Sequence, residues 1–136
     1  MTAPTAPMIG PLRRDVATAA FLDGTARGEF LLRHCNGCDR MSSPQAEQCE
    51  FCLSTDLGWV AAQGSATLVS WSISHGRPDA EGRTEQIVLG VVELAEGPWW
   101  WTQIIADRGR LEVGLPLTVD FAAHSAEYET VPFFRA

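Results

Sequence analysis

Lysine is absent from this 136-residue chain; all ten basic side chains are arginine. That excludes a Schiff-base nucleophile, a lysine general base and any phosphate loop ending in Gly-Lys-Ser/Thr. Long apolar runs are missing as well. No stretch of eighteen apolar residues occurs, and Met1 to Pro11 has no hydrophobic signal core, so the sequence predicts a cytoplasmic protein without a spanning segment. Positive charge is scarce: seventeen acids leave a net charge of -7, and residues 59–136 alone carry -5. No segment forms the basic stripe that phosphate neutralisation needs, so neither nucleic acid nor an anionic membrane is the expected partner. What is present, 46% hydrophobic and 20% charged residues, is ordinary globular usage. The length suits one domain, or a small one with a compact appendage.

Four cysteines stand at 35, 38, 49 and 52, in the pattern C-x2-C-x10-C-x2-C. In a reducing compartment a doubled C-x-x-C is read as a metal site before it is read as disulfides. Four thiolates close a tetrahedron around one structural zinc ion, leaving no position to activate water. A rubredoxin-like iron site has the same ligand set, and thiol redox chemistry is the other alternative. Gly37, just before Cys38, is the residue expected to take a positive φ in the first knuckle.

The rest of the chain divides around this motif. Residues 1–14 carry several prolines and are expected as a flexible tail, followed by helix and ribbon over 15–62 and a barrel over 63–136. A helix is predicted from Asp15, as N-cap, to about Arg27, with Gly28 as its terminator or Gly24 ending it a turn earlier. Glu29 to His34 and Leu57 to Ala62 read as strands flanking the cysteines. From Gly64 the period changes to two. Thr67, Val69, Trp71 and Ile73 form the more apolar set of a long strand, and Gly90 inside QIVLGVVEL marks a bend or bulge. Strands over Trp99 to Ala106, Leu115 to Ala122 and Thr130 to Phe134 complete five. Five short strands close best into a small barrel, OB-like or SH3-like.

The order of these pieces is specific: a helix, two cysteine knuckles, Gly64 to Trp71 (GSATLVSW), His75 to Pro78, a VVEL strand and a terminal VPFFR. Over residues 15–136 the chain resembles the zinc-ribbon and OB-fold proteins associated with acyl-CoA metabolism. The resemblance implies a mainly β fold, with an N-terminal helix, a rubredoxin-like four-cysteine zinc ribbon and a five-stranded OB-fold barrel. It also implies a non-catalytic accessory subunit that binds a thiolase-like or aldolase partner, in some cases with a hydratase-like subunit, and shares its acyl-CoA substrate. The partner would carry the catalytic residues of a carbon–carbon reaction, such as steroid side-chain retro-aldol cleavage or ketothiolase acyl transfer. Two features depart from the family pattern: Ser42-Ser43 replaces larger apolar residues before Pro44, and Trp99 to Trp101 is bulkier than the usual strand.

Individual side chains sharpen this reading. His75, beside Arg77, Asp79 and Glu81, is a solvated loop histidine, an interface residue, or the centre of an acyl-CoA pocket in a stand-alone enzyme. No Ser-His-Asp, HExxH, GxSxG or paired-carboxylate motif supports catalysis there. His34 is expected beside the metal ligands but not among them. Trp100 should face opposite to Trp99 and Trp101, leaving indoles for a partner. The same aromatics would stack bases in a single-strand nucleic-acid module, were arginines gathered beside them. Phe133 and Phe134 are either core residues of the last strand or docking residues.

Overall fold

The computed structural model describes residues 6–136. Of the expected 1–14 tail, residues 1–5 lie outside the described residues. Residues 8–14 run along the barrel instead of hanging free. The Met8 amide donates to Gln103 Oε1 (3.1 Å), the Ile9 carbonyl bonds His124, and the Leu12 carbonyl accepts from the Glu129 amide. Arg14 forks onto Glu129 (2.9 Å) and reaches Asp23 (2.6 Å). Apart from Asp23, these partners lie about a hundred residues away in sequence, where local composition carries no trace of them.

Helix α1 covers Ala19–Ala26, shorter than expected at its start. Asp15 caps the turn that precedes it, accepting from the Thr18 amide (2.9 Å) while Thr18 Oγ1 accepts from the Asp15 amide. Gly28, with φ +77°, ends it as read. The Glu29 amide returns to Gly24 and the Gly28 amide to Thr25, the two bonds of a Schellman closure. Buried Thr25 ties α1 to the barrel, donating to the Thr130 carbonyl at 2.6 Å.

Strands β1 (Leu31–Cys35), β2 (Met41–Ser42) and β3 (Leu57–Ala61) form an antiparallel sheet in the order β2-β1-β3. Then come β4 (Ser65–His75), β5 (Gln86–Leu94), β6 (Trp99–Ile105), β7 (Pro116–Ala123) and β8 (Thr130–Arg135), closed in the order β4-β5-β6-β8-β7. The β6–β8 pair is parallel and β4 closes on β7, which is the connectivity of an OB fold and not of an SH3-like barrel. The fold is therefore mainly β, with one short α-helix, a four-cysteine ribbon and a five-stranded barrel. Among the described residues no helix is long and apolar enough to cross a membrane.

The core runs through both halves. Phe30, from the ribbon side, meets Phe134, Trp100 and Phe21 in a chain of ring contacts, with Leu32, Leu68, Val92 and Ile104 beneath. Along β4, burial does not follow the more apolar set. Ala66 and Leu68 are its buried residues, whereas Trp71 and Ile73 of the more apolar set are exposed. The cause is a bulge at Val69, after which the strand pairs only with β5 and runs beyond the barrel wall.

Gly90 faces this bulge, as its place in the apolar run suggested. A Cβ there would stand 2.9 Å from the Ser70 carbonyl and 3.1 Å from Ile104. Since the first neighbour is backbone, the sheet itself must give way. A Gly90→Val chain should lose about 1–3 kcal/mol, read as a lower urea midpoint at unchanged slope.

Candidate metal centre and partner surface

The four cysteine sulfurs lie within 4.8 Å of one another, with Cys35–Cys52 and Cys38–Cys49 at 3.5 Å. Thiolates at about 2.3 Å from a tetrahedral metal are about 3.8 Å apart, so a single ion fits among them. Two knuckles of the same design build the cluster. In each, the first cysteine sulfur receives two backbone amides: Gly37 and Cys38 onto Cys35, and Phe51 and Cys52 onto Cys49, at 3.3–3.5 Å. In each, an amide four residues on closes back to the first cysteine carbonyl, Asp39 to Cys35 and Leu53 to Cys49.

Those closing residues take the positive φ, Asp39 at 65° and Leu53 at 67°. Gly37 does not; its backbone lies in ordinary space. Aspartate tolerates the left-handed region and so gave a faint signal at Asp39, but leucine gives none. The requirement comes from turning each hairpin back after its second ligand.

The amides also set the thiol chemistry. Hydrogen bonds from the Cys52 amide, then from Phe51, bring Cys49 down to about 6 against the effect of burial. The Cys38 amide lowers Cys35 in the same way. Although the Arg40 amide opposes it, burial together with the proton shared with Cys49 pushes Cys38 up to about 12. Cys52 is also raised: its contact with Cys35 and partial desolvation outweigh the Ser54 amide. The first thiol of each knuckle is thus shifted toward ionisation and the second toward keeping its proton, and a bound cation would displace what protons remain.

Supporting groups surround the cluster. His34 Nε2 hydrogen-bonds the Asp39 carboxylate and is not a ligand. Ser42 is fully buried and accepts the Glu50 amide at 3.1 Å, fastening the second knuckle to β2. Its small size and its oxygen are both used, which a hydropathy reading could not reveal.

The other candidates separate cleanly. Trp99 and Trp101 point outward, 58% and 74% exposed, while Trp100 packs inward against Phe21 and Phe30, as strand alternation required. Trp99 Nε1 donates to Glu93 Oε2 at 3.0 Å. Phe133 and Phe134 are both buried, so neither offers a ring for docking; Arg135 beside them pairs with Asp120 at 2.8 Å. His75 is exposed at the end of β4, and among the described residues no side chain hydrogen-bonds it. Nearby Asp79 is committed to its own turn, accepting the Glu81 and Arg83 amides. The polar hollow formed by Gly76, Arg77 and residues 83–85 is not lined by His75.

Sequence reasoning missed a groove. A cavity of about 480 Å³ opens between α1, the ribbon and the barrel, walled by Phe21, Pro44, Trp59, Trp100 and Pro132, with Trp101 at its edge. Arg33 is the one cationic side chain in its wall, stacked on Trp59 at 4.3 Å and bonded to the Leu57 carbonyl. Its residues come from six separate segments, so no local motif announces it.

Comparisons with known proteins agree with this architecture. Residues 59–122 match the family model of the ChsH2 C-terminal OB-fold domain. A probable enoyl-CoA hydratase alpha subunit of Thermomonospora curvata is 25% identical over 118 residues, 86% of this chain. The chain spans only 36% of that relative's length. Among solved structures, the Ltp2-ChsH2(DUF35) aldolase superposes with a TM-score of 0.75 at 24% identity, over 90% of this chain and 95% of the matched one. A DUF35-family protein of unknown function from Sulfolobus solfataricus gives 0.61 at 15% identity, over 89% and 85%.

Proposed function

From the match of residues 59–122 to the ChsH2 C-terminal OB-fold domain and the likeness of the whole fold to the Ltp2-ChsH2(DUF35) aldolase, we propose that the chain is a member of the ChsH2 (DUF35) family and the accessory subunit of an enzyme of the thiolase superfamily. It would support a carbon–carbon reaction on an acyl-CoA, retro-aldol side-chain cleavage or ketothiolase acyl transfer, with the catalytic residues on the partner. The observation that carries this reading is the outward pair Trp99 and Trp101, which the fold does not bury. Exposed tryptophans on a rigid strand are the usual anchors of a protein interface. The groove beside Trp101 is the place for the shared acyl-CoA: its walls suit an apolar chain and Arg33 suits an anionic group.

Zinc is the metal assigned to Cys35, Cys38, Cys49 and Cys52. With four protein ligands its part is to hold the ribbon together. The ribbon in turn supplies Arg33, Trp59 and Pro44 to the groove wall. A base-stacking role for the tryptophans is disfavoured by Glu93, whose carboxylate sits against Trp99 and repels phosphate.

Co-expression with a thiolase-like protein from the same genome tests the proposal. The wild-type chain should copurify at fixed stoichiometry. A Trp99→Ser/Trp101→Ser double variant should bind the partner at least about 30-fold more weakly, with thermal stability almost unchanged because both rings are exposed. Full acyl-CoA turnover by the chain alone would refute the accessory role.

A further inference from the structure

β4 contains eleven residues, but only Ser65, Ala66 and Thr67 pair with β7. Leu68 makes the last bonds on that side, to Gly114 and Leu115. From Ser70 to His75 its strand neighbour is β5 alone, in register with Val91 to Gln86. The direction of the free backbone groups follows from the hairpin. The Gly76 amide donates to the Glu85 carbonyl, so alternation turns the amides and carbonyls of Trp71, Ile73 and His75 away from β5. Among the described residues these three positions form an open edge.

Natural edges are guarded by lysine, proline, inward charges or a covering loop. Ser70 to His75 has no lysine, proline, aspartate, glutamate or arginine, and every residue except half-buried Ser74 is exposed. The segment is also close to palindromic about Ser72: Trp71 mirrors Ile73, and Ser70 mirrors Ser74. Two copies laid antiparallel about Ser72 would place each Trp71 opposite Ile73 of the other copy. Both are edge-facing residues, so each pair exchanges two backbone hydrogen bonds. Aromatic with β-branched is among the favourable cross-strand pairs. Within one chain Trp71 stands opposite Gly90, which offers it no side chain.

We propose that residues 70–75 of β4 join two copies of this chain edge to edge, about a two-fold axis at Ser72. The interface is isologous, since the same strand serves both sides. It leaves the outer face of β6, with Trp99 and Trp101, free for another protein, and does not depend on the identity of that protein.

Sedimentation equilibrium of the purified zinc-loaded chain tests this. The wild type should approach twice its 14.8 kDa mass as concentration rises. Ser72→Arg, which brings two cations together on the axis, should weaken association at least about tenfold. Ile73→Pro removes an edge donor without touching a β5 hydrogen bond and should act alike. Ser72→Cys should cross-link across the axis under mild oxidation, and Ser70→Cys should not. A wild-type chain still monomeric at about 100 μM, or a dimer that survives both substitutions, overturns the proposal. So does a monomer whose Ser72→Arg variant loses the thiolase-like partner, an outcome that would give the edge to that enzyme instead.

Discussion

A Cys49→Ser chain is expected to lose its metal and, with it, the folded ribbon. Cys49 is fully buried, receives two amides on its sulfur and lies 3.5 Å from Cys38. Serine would leave three thiolates and a hydroxyl that does not ionise, while its shorter reach opens a gap in the cluster. Binding of a structural zinc ion is worth roughly 10–16 kcal/mol in small metal-folded peptides at neutral pH. Whole domains are stable by only about 5–15 kcal/mol, so this term decides whether the ribbon folds. Elemental analysis should find close to one zinc per freshly purified wild-type chain and almost none in the variant. Amide-exchange protection over residues 31–61 should collapse alongside. Acid should act in the same direction, because protons compete with the cation for all four sulfurs. A wild-type chain holding less than about half an equivalent of zinc would rule out the assignment. So would a Cys49→Ser chain with unaltered exchange.

Phe30→Ala should be the costliest apolar substitution, at about 3–5 kcal/mol. The ring is 2% exposed and stands edge-on to Phe21 and Trp100 at 5.3 and 5.1 Å, with Phe134 at 6.1 Å. Those four rings come from the helix, the approach to the ribbon and two barrel strands. Truncating Phe30 therefore removes a large buried surface and leaves a cavity at the junction of the two halves. For a chain of this length the melting temperature should fall by about 10–20 °C. Calorimetry should show one transition before and after, since ribbon and barrel share this core. A loss below about 1 kcal/mol, or two separated transitions in the wild type, would mean that the halves fold independently.

Much of this molecule could be read in advance, and the misses have physical causes. The cysteine spacing announced the cluster because each C-x-x-C is a local device, complete within four residues. Gly28 and Gly90 were legible because only glycine meets the demands of a helix end or a crowded bulge. Burial along β4 does not follow its more apolar set because a bulge shifts the two-residue period, and sequence alternation cannot register one inserted residue. Phe133 and Phe134 could be core or docking residues as far as hydropathy shows; closure of β8 between β6 and β7 buried both.

By itself the sequence determined the four-cysteine cluster, the strand content and the alternation of the three tryptophans, since each follows from spacing along a few consecutive residues. Only the tertiary structure decided the groove around Arg33, the strap of residues 8–14 and the open edge of β4. Each is made by segments far apart in the chain, or by the absence of a neighbouring strand, and neither leaves a mark on local sequence.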